Sequence, residues 1–302
     1  MTRVVKTVAA LARYVARQKR DGKSIGLVPT MGALHAGHLA LIRRSVKEND
    51  RTVVSVFVNP TQFGPNEDLK TYPRPFARDR EACRSAGVDV VFAPNVDEMY
   101  PPGATTTVDV GKLATVLCGR SRPGHFRGVT TVCAKLFAMS RCDRAYFGEK
   151  DYQQLVVIRK MVAELNMSLR VVGCPLVREE DGLALSSRNR YLNAEARAQA
   201  VVLHRSLVTA RHMIARDGVT EARAVVRGMR RILRTARAAK IDYVAVVDPV
   251  TLEPVPRIRG EVRIVLAVFV DGTRLIDNIG AKPRRDATRK RGAKKRTGPG
   301  FP

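Results

Sequence analysis

Tryptophan is absent and aromatic residues make up only 5% of the chain, so the hydrophobic content of 45% is mainly aliphatic. That balance suits a soluble α/β protein. Cysteine is sparse as well. Cys83, Cys118, Cys133, Cys142 and Cys174 form no CxxC pair, which argues against a zinc site or a disulfide framework and leaves buried, reduced thiols. No apolar run approaches the length of a membrane span. The opening residues, "MTRVVKTVAALARYVARQKRDGKS", place apolar positions at helical spacing between Arg and Lys and lack the continuous apolar stretch of a signal peptide. The expected location is the cytoplasm, without membrane contact. No Walker G-x-x-x-x-G-K-[ST] sequence occurs, and no internal repeat is visible.

Acidic residues are the scarce sign of charge, 28 against 54 basic ones, for a net charge of +26. Residues 281–302 hold nine basic residues and one acidic, so the preceding 280 still carry +18. Such a charge attracts polyanions. Yet no basic patch is interleaved with aromatics and no nucleic-acid motif is recognisable. An Arg-rich composition with a solvated tail accounts for the charge, and nucleic-acid contact by the tail has nothing else behind it. With Gly, Pro and few apolar residues, the tail is expected to be disordered.

A chain of 302 residues has room for two domains. Up to about residue 181, strand patterns at 24–30, 51–58, 88–94, 144–148 and 168–174 alternate with helical patterns at 38–48, 76–86, 127–140 and 151–165. That alternation predicts a parallel sheet with helices on both faces. Such sheets bind ligands beyond the C-terminal ends of their strands, and the unusual residues cluster there. Over 182–280 two helices, near 194–216 and 219–238, precede three strands with a hairpin turn at Asp271-Gly272. This predicts a smaller α+β domain, followed by the tail at 281–302.

The densest cluster is "VPTMGALHAGH", residues 28–38, at a strand-to-helix seam. A helix N-terminus attracts phosphate through unpaired N–H groups. Gly32 and Gly37 permit close backbone approach. His35 and His38, three apart, face one side and can donate hydrogen bonds to phosphate oxygens, more strongly when protonated. In "FVNPTQF", Asn59 and Gln62 offer neutral amides for a hydroxyl or carboxylate. "RPGHFRGVTTV" sets Arg122 and His125 before a helix. "FGEKDYQQ" places Gly148, Lys150, Asp151 and Gln154 at another strand end, with Lys150 as a mobile charge for phosphate. "DGLALSSRN" carries Ser186, Ser187 and Arg188, two hydroxyls and a guanidinium suited to a triphosphate.

The His-x-Gly-His turn resembles that of the nucleotidylyltransferases and class I aminoacyl-tRNA synthetases. The five segments in this order resemble the pantothenate synthetase (pantoate–β-alanine ligase) family, over about residues 24–280. The resemblance implies a Rossmann-like domain with a smaller C-terminal domain, usually as a homodimer, and a two-step reaction. ATP and pantoate would give pantoyl adenylate and pyrophosphate, and β-alanine would then displace AMP, on the way to coenzyme A. It assigns Met31, Gly32, Ala33, Leu34, His35, Ala36, Gly37 and His38 to ATP, with His38 catalytic. Gly148, Glu149, Lys150, Asp151, Val177, Leu185, Ser186, Ser187 and Arg188 would complete the ATP site, while Gln62 and Gln154 would hold pantoate and Gln62 also β-alanine. His35, Lys150 and Arg188 join His38 in neutralising charge on the phosphates, and Asn59 and Arg122 are the further substrate contacts expected. Closure of the loop at 182–190 would shield the adenylate.

Thr61 stands where the family usually has Met, and Leu185 replaces the Met before "SSR". "RPFARDREAC" offers only Asp79 and Glu81, so Mg²⁺ is expected to be held mainly by the phosphates of ATP, with no protein-bound metal cluster. A different adenylyl- or cytidylyltransferase remains an alternative reading of the His-x-Gly-His turn, although it leaves Gln62, Gln154 and "DGLALSSRN" unexplained.

Overall fold

Two kinds of β-structure organise the molecule, whose computed structural model describes residues 2–65 and 67–284. Strands β1 (Arg3–Val5), β2 (Ile25–Thr30), β3 (Arg51–Val56), β4 (Val90–Phe92), β5 (Arg144–Gly148) and β6 (Arg170–Cys174) form one parallel sheet in the order β1-β4-β3-β2-β5-β6. Strands β7 (Ala239–Val247), β8 (Val262–Val270) and β9 (Thr273–Ala281) form an antiparallel one. The helices of the described residues are α1 (Val8–Arg20), α2 (Ala36–Glu48), α3 (Phe76–Ser85), α4 (Val96–Met99), α5 (Cys118–Ser121), α6 (His125–Ser140), α7 (Tyr152–Glu164), α8 (Ala194–Ala200), α9 (Val202–Ala215) and α10 (Ala222–Leu233).

Alternating side chains explain why the parallel sheet is covered twice. Leu27, Val53, Val90, Phe92 and Phe147 pack with Leu11 and Val15 of α1 and with apolar residues of α6 and α7. Their neighbours Val28, Val54, Val91 and Tyr146 face a second core with Leu41 and Ile42 of α2 and Cys83 of α3. Both faces are apolar because both are buried, the usual condition of a parallel sheet. In the smaller unit, Leu203, Leu207, Val225 and Met229 of α9 and α10 cover Ile264, Leu266 and Val268 of β8. Val265 on the opposite face joins the core of α6 and α7, so the small sheet seats directly on the larger unit.

Chain order places the site. From β2 the chain adds β3 and β4 on one side, then returns to the other edge of β2 with β5 and β6. The C-terminal ends of β2 and β5 therefore flank a topological switch point, where a crevice opens.

The expected strands up to residue 174 are present, and β1 is additional. Three residues are too few to show an alternation, and pairing with β4 makes β1 a strand. The expected helix at 194–216 divides at Val201 into α8 and α9. Helix α6 starts at His125, two residues early, after Gly124 in the left-handed region (φ 80°). Strand β7 has a register irregularity between Ile241 and Tyr243. Asp271 (φ 46°) and Gly272 (φ 77°) make the expected hairpin turn. All five cysteines are free and buried. Among the described residues no helix is long and apolar enough to cross a membrane. The basic tail from residue 285 lies outside the described residues.

Candidate active site

Between the end of β2 and α2 the backbone makes a tight turn, with Gly32 at φ 80° and Ala33 at φ 51°. The left-handed region costs a Cβ-bearing residue energy, and Asp79 offsets it. This α3 carboxylate, 1% exposed, accepts hydrogen bonds from the N–H groups of Ala33 and Leu34, both at 2.8 Å. A Cβ on Gly32 would stand 2.9 Å from Asp79 Oδ2. The sequence points to the N–H groups of the helix N-terminus for phosphate; those of Ala33 and Leu34, just before α2, are engaged by Asp79. Met31, His35, Gly37 and His38 line the cleft, while Gly32 and Ala33 are buried, Leu34 is half-buried and Ala36 is exposed. Asp79 therefore braces the turn, and Glu81 pairs with Arg84 on the surface.

The two histidines cap α2 reciprocally. Gly37 N–H donates to His35 Nδ1 at 3.2 Å, and His35 N–H donates to His38 Nδ1 at 3.4 Å. With Nδ1 accepting, each neutral ring keeps its proton on Nε2. Burial, reinforced by Lys150, lowers the pKa of His35 to about 4. Burial, reinforced by His35, lowers that of His38 to about 3. Both are neutral donors near neutral pH, so of the two states in which an imidazole can donate to phosphate they hold the weaker, uncharged one.

The opposite wall comes from β5, α7 and the loop beyond β6. Gly148, Lys150, Asp151 and Gln154 line it, with Val177, Leu185, Ser186, Ser187 and Arg188. Lys150 Nζ lies 3.7 Å from Asp151 Oδ1. Asn278 of β9 donates to the carbonyls of Glu149 and Lys150, each at 2.9 Å, and so holds this turn from the smaller unit. Glu149 does not line the cleft and pairs with Arg263 at 3.2 Å. Ser186 Oγ accepts from Arg188 N–H at 3.2 Å, and the Arg188 guanidinium rests on Asp68 at 2.7 Å.

Gln62 is buried at the floor, in the same cleft as Gln154. Asn59 and Arg122, expected as direct substrate contacts, border the cleft but are engaged with protein. Arg122 pairs with Glu67 at 2.6 Å and donates to Gln62 O at 3.3 Å. It also approaches His125 Nε2 at 3.0 Å, while His125 Nδ1–H donates to Gln62 O at 2.8 Å. Burial first, then Arg122, lowers the pKa of His125 to about 4. Tyr100, whose hydroxyl donates to Asn59 Oδ1 at 2.8 Å, carried no sequence signal. Its role depends on α4 packing beside a loop 41 residues away. Among the described residues no group of three His, Cys, Asp or Glu side chains is placed to hold a metal ion.

A family model described as pantoate–β-alanine ligase matches residues 3–280. The chain is 54% identical to the pantothenate synthetase of Moorella thermoacetica over 276 residues, 91% of this chain and 97% of the relative. A crystal structure of pantothenate synthetase from Thermus thermophilus superposes with a TM-score of 0.87 at 49% identity, covering 92% of this chain and 98% of that one. The pantoate–β-alanine ligase of Francisella tularensis, crystallised with β-γ ATP and β-alanine, matches with a TM-score of 0.77 at 32% identity, over 92% and 97% of the two chains.

Proposed function

Given that the chain belongs to the pantoate–β-alanine ligase family, we propose that it joins (R)-pantoate to β-alanine in two steps through a pantoyl adenylate. A pantoate carboxylate oxygen attacks the α-phosphorus of ATP and pyrophosphate leaves. The amine of β-alanine then attacks the acyl carbon, the bond to AMP breaks and pantothenate forms, a precursor of coenzyme A. The carboxylate is already ionised at neutral pH, so the first step needs no strong base. It needs two anions held together and their charge neutralised.

The observation that carries this reading is the facing of two walls across one cleft. Neutral His35 and His38 present Nε2–H donors from the start of α2, and Lys150 and Arg188 bring positive charge from the other side. ATP fits between them, with Met31, Gly37, Gly148, Asp151, Val177, Leu185, Ser186 and Ser187 around it. Pantoate fits on Gln62 and Gln154. Mg²⁺ would arrive mainly on the phosphates, where it neutralises charge on the leaving pyrophosphate. Residues 1–181 and 182–280 act as two domains, the second steadying Lys150 through Asn278. We assign the enzyme to the cytoplasm as a homodimer.

The test is AMP release from purified protein with ATP, Mg²⁺ and pantoate, with and without β-alanine. Release should depend on β-alanine and fall roughly 100- to 1,000-fold in His38→Ala, the usual cost of a lost charge-stabilising donor. Folded wild-type protein that releases no AMP under these conditions would refute the reading.

A further inference from the structure

An amide side chain offers either two N–H donors or an acceptor oxygen, depending on its orientation. Around Gln62 that orientation is decided by residues behind the cleft. Helix α6 passes so close to the turn at Pro60–Gln62 that a Cβ on Gly128 would lie 2.3 Å from the Thr61 carbonyl oxygen. This approach puts the Gly128 carbonyl 3.1 Å from Asn59 Nδ2. A carbonyl can only accept, so the contact determines which end of the Asn59 amide is nitrogen. The second N–H of that nitrogen meets Gln62 Oε1 at 3.1 Å. Asn59 Oδ1 in turn accepts from the hydroxyls of Tyr100 at 2.8 Å and Thr61 at 3.0 Å. Asn59 is 1% exposed and its hydrogen-bonding capacity is filled. Gln62 is left with Oε1 turned inward and Nε2 on the Met31 side, 3.1 Å from Sδ.

We propose that Tyr100 and Thr61 are positioning residues which, through Asn59, hold Gln62 as an N–H donor to the cleft. The pantoate atom facing Gln62 is then an acceptor oxygen. The identity of that substrate rests on the ligase reading above, whereas the orientation of the amide does not. A flipped Gln62 would set its nitrogen against the Asn59 nitrogen, two donors in contact, and would turn an oxygen toward the substrate's oxygen.

Tyr100→Phe and Thr61→Val remove the two hydroxyls and keep the shapes. Each should raise the KM for pantoate about fivefold, the worth of one hydrogen bond, and the double variant should raise it further, with the KM for ATP within about twofold of wild type. A second measurement needs no substrate. In protein with ¹⁵N-labelled asparagine, the Asn59 side-chain N–H₂ should exchange slowly with solvent in the wild type and markedly faster in the double variant. Unchanged exchange in the double variant would overturn the proposal. So would an unmoved KM for pantoate in active enzyme, or a KM for ATP that rises equally, the mark of a merely structural role. Should wild-type protein release no AMP with pantoate, the ligase reading fails and the exchange measurement alone decides the orientation.

Discussion

Three histidines near the cleft, His35, His38 and His125, are all held neutral by burial, with pKa values of about 4, 3 and 4. In the unfolded chain each would titrate near its ordinary 6.5. The folded state therefore refuses protons that the unfolded state binds. Their stabilisation is complete above pH 6.5 and is lost as the pH falls from there toward 4. His125, 8% exposed, contributes up to about 1.4 kcal/mol per pH unit across that window. The thermal midpoint should fall between pH 6.5 and 4.5, with a shallower slope in His125→Asn; parallel slopes would contradict this assignment. The same chemistry predicts that adenylate formation, followed as pyrophosphate release, shows no inflection near pH 6.5, since both cleft histidines stay neutral donors. A rate that follows a group titrating at 6.5 would mean that a protonated histidine is used.

Packing of element on element sets the floor of the site. Helix α6 can approach the turn at Pro60–Gln62 only because residue 128 lacks a side chain. Gly128→Ala drives a Cβ into backbone, which cannot move aside as a flexible side chain can. We expect a cost of about 3 kcal/mol, at the upper end for overpacking, read as a lower denaturation midpoint, together with a raised KM for pantoate. A variant of wild-type stability and KM would show that the approach is looser. The elements themselves were legible in unequal measure. Strands β2 to β6 and helices α2, α3, α6 and α7 announce themselves through β-branched runs and helical spacing. The break between α8 and α9 does not, because apolar spacing continues across Val201, whose own backbone stays in the right-handed helical region (φ −59°, ψ −21°). Asp79 was visible as a residue, but its role as a brace was not, since its partners lie 45 and 46 positions away.

Across the whole molecule, the smaller unit reaches into the chemistry of the larger. Asn278 on β9 holds the carbonyls of Glu149 and Lys150, while Arg178, beyond β6, grips the buried Asp277 carboxylate at 2.7 Å. Asn278→Ala frees the Lys150 turn, so the KM for ATP should rise roughly 25-fold, as expected for two lost hydrogen bonds at about fivefold each, while that for pantoate moves less. An equal effect on both substrates would point to general loosening of the interface.

What the sequence determined by itself was the class of fold and the chemistry at the strand ends, because short motifs and hydrophobic periodicity are local. His35, His38, Gln62, Lys150, Gln154 and Arg188 could be named from their motifs, and all six line one cleft. Only the tertiary structure decided the state of those groups. Burial made the histidines neutral, Asp79 took the N–H groups of the turn, and Asn59 and Arg122 were committed to Gln62. Protonation and hydrogen-bond direction depend on which distant residues displace water around a group, and that is settled only when the chain has packed.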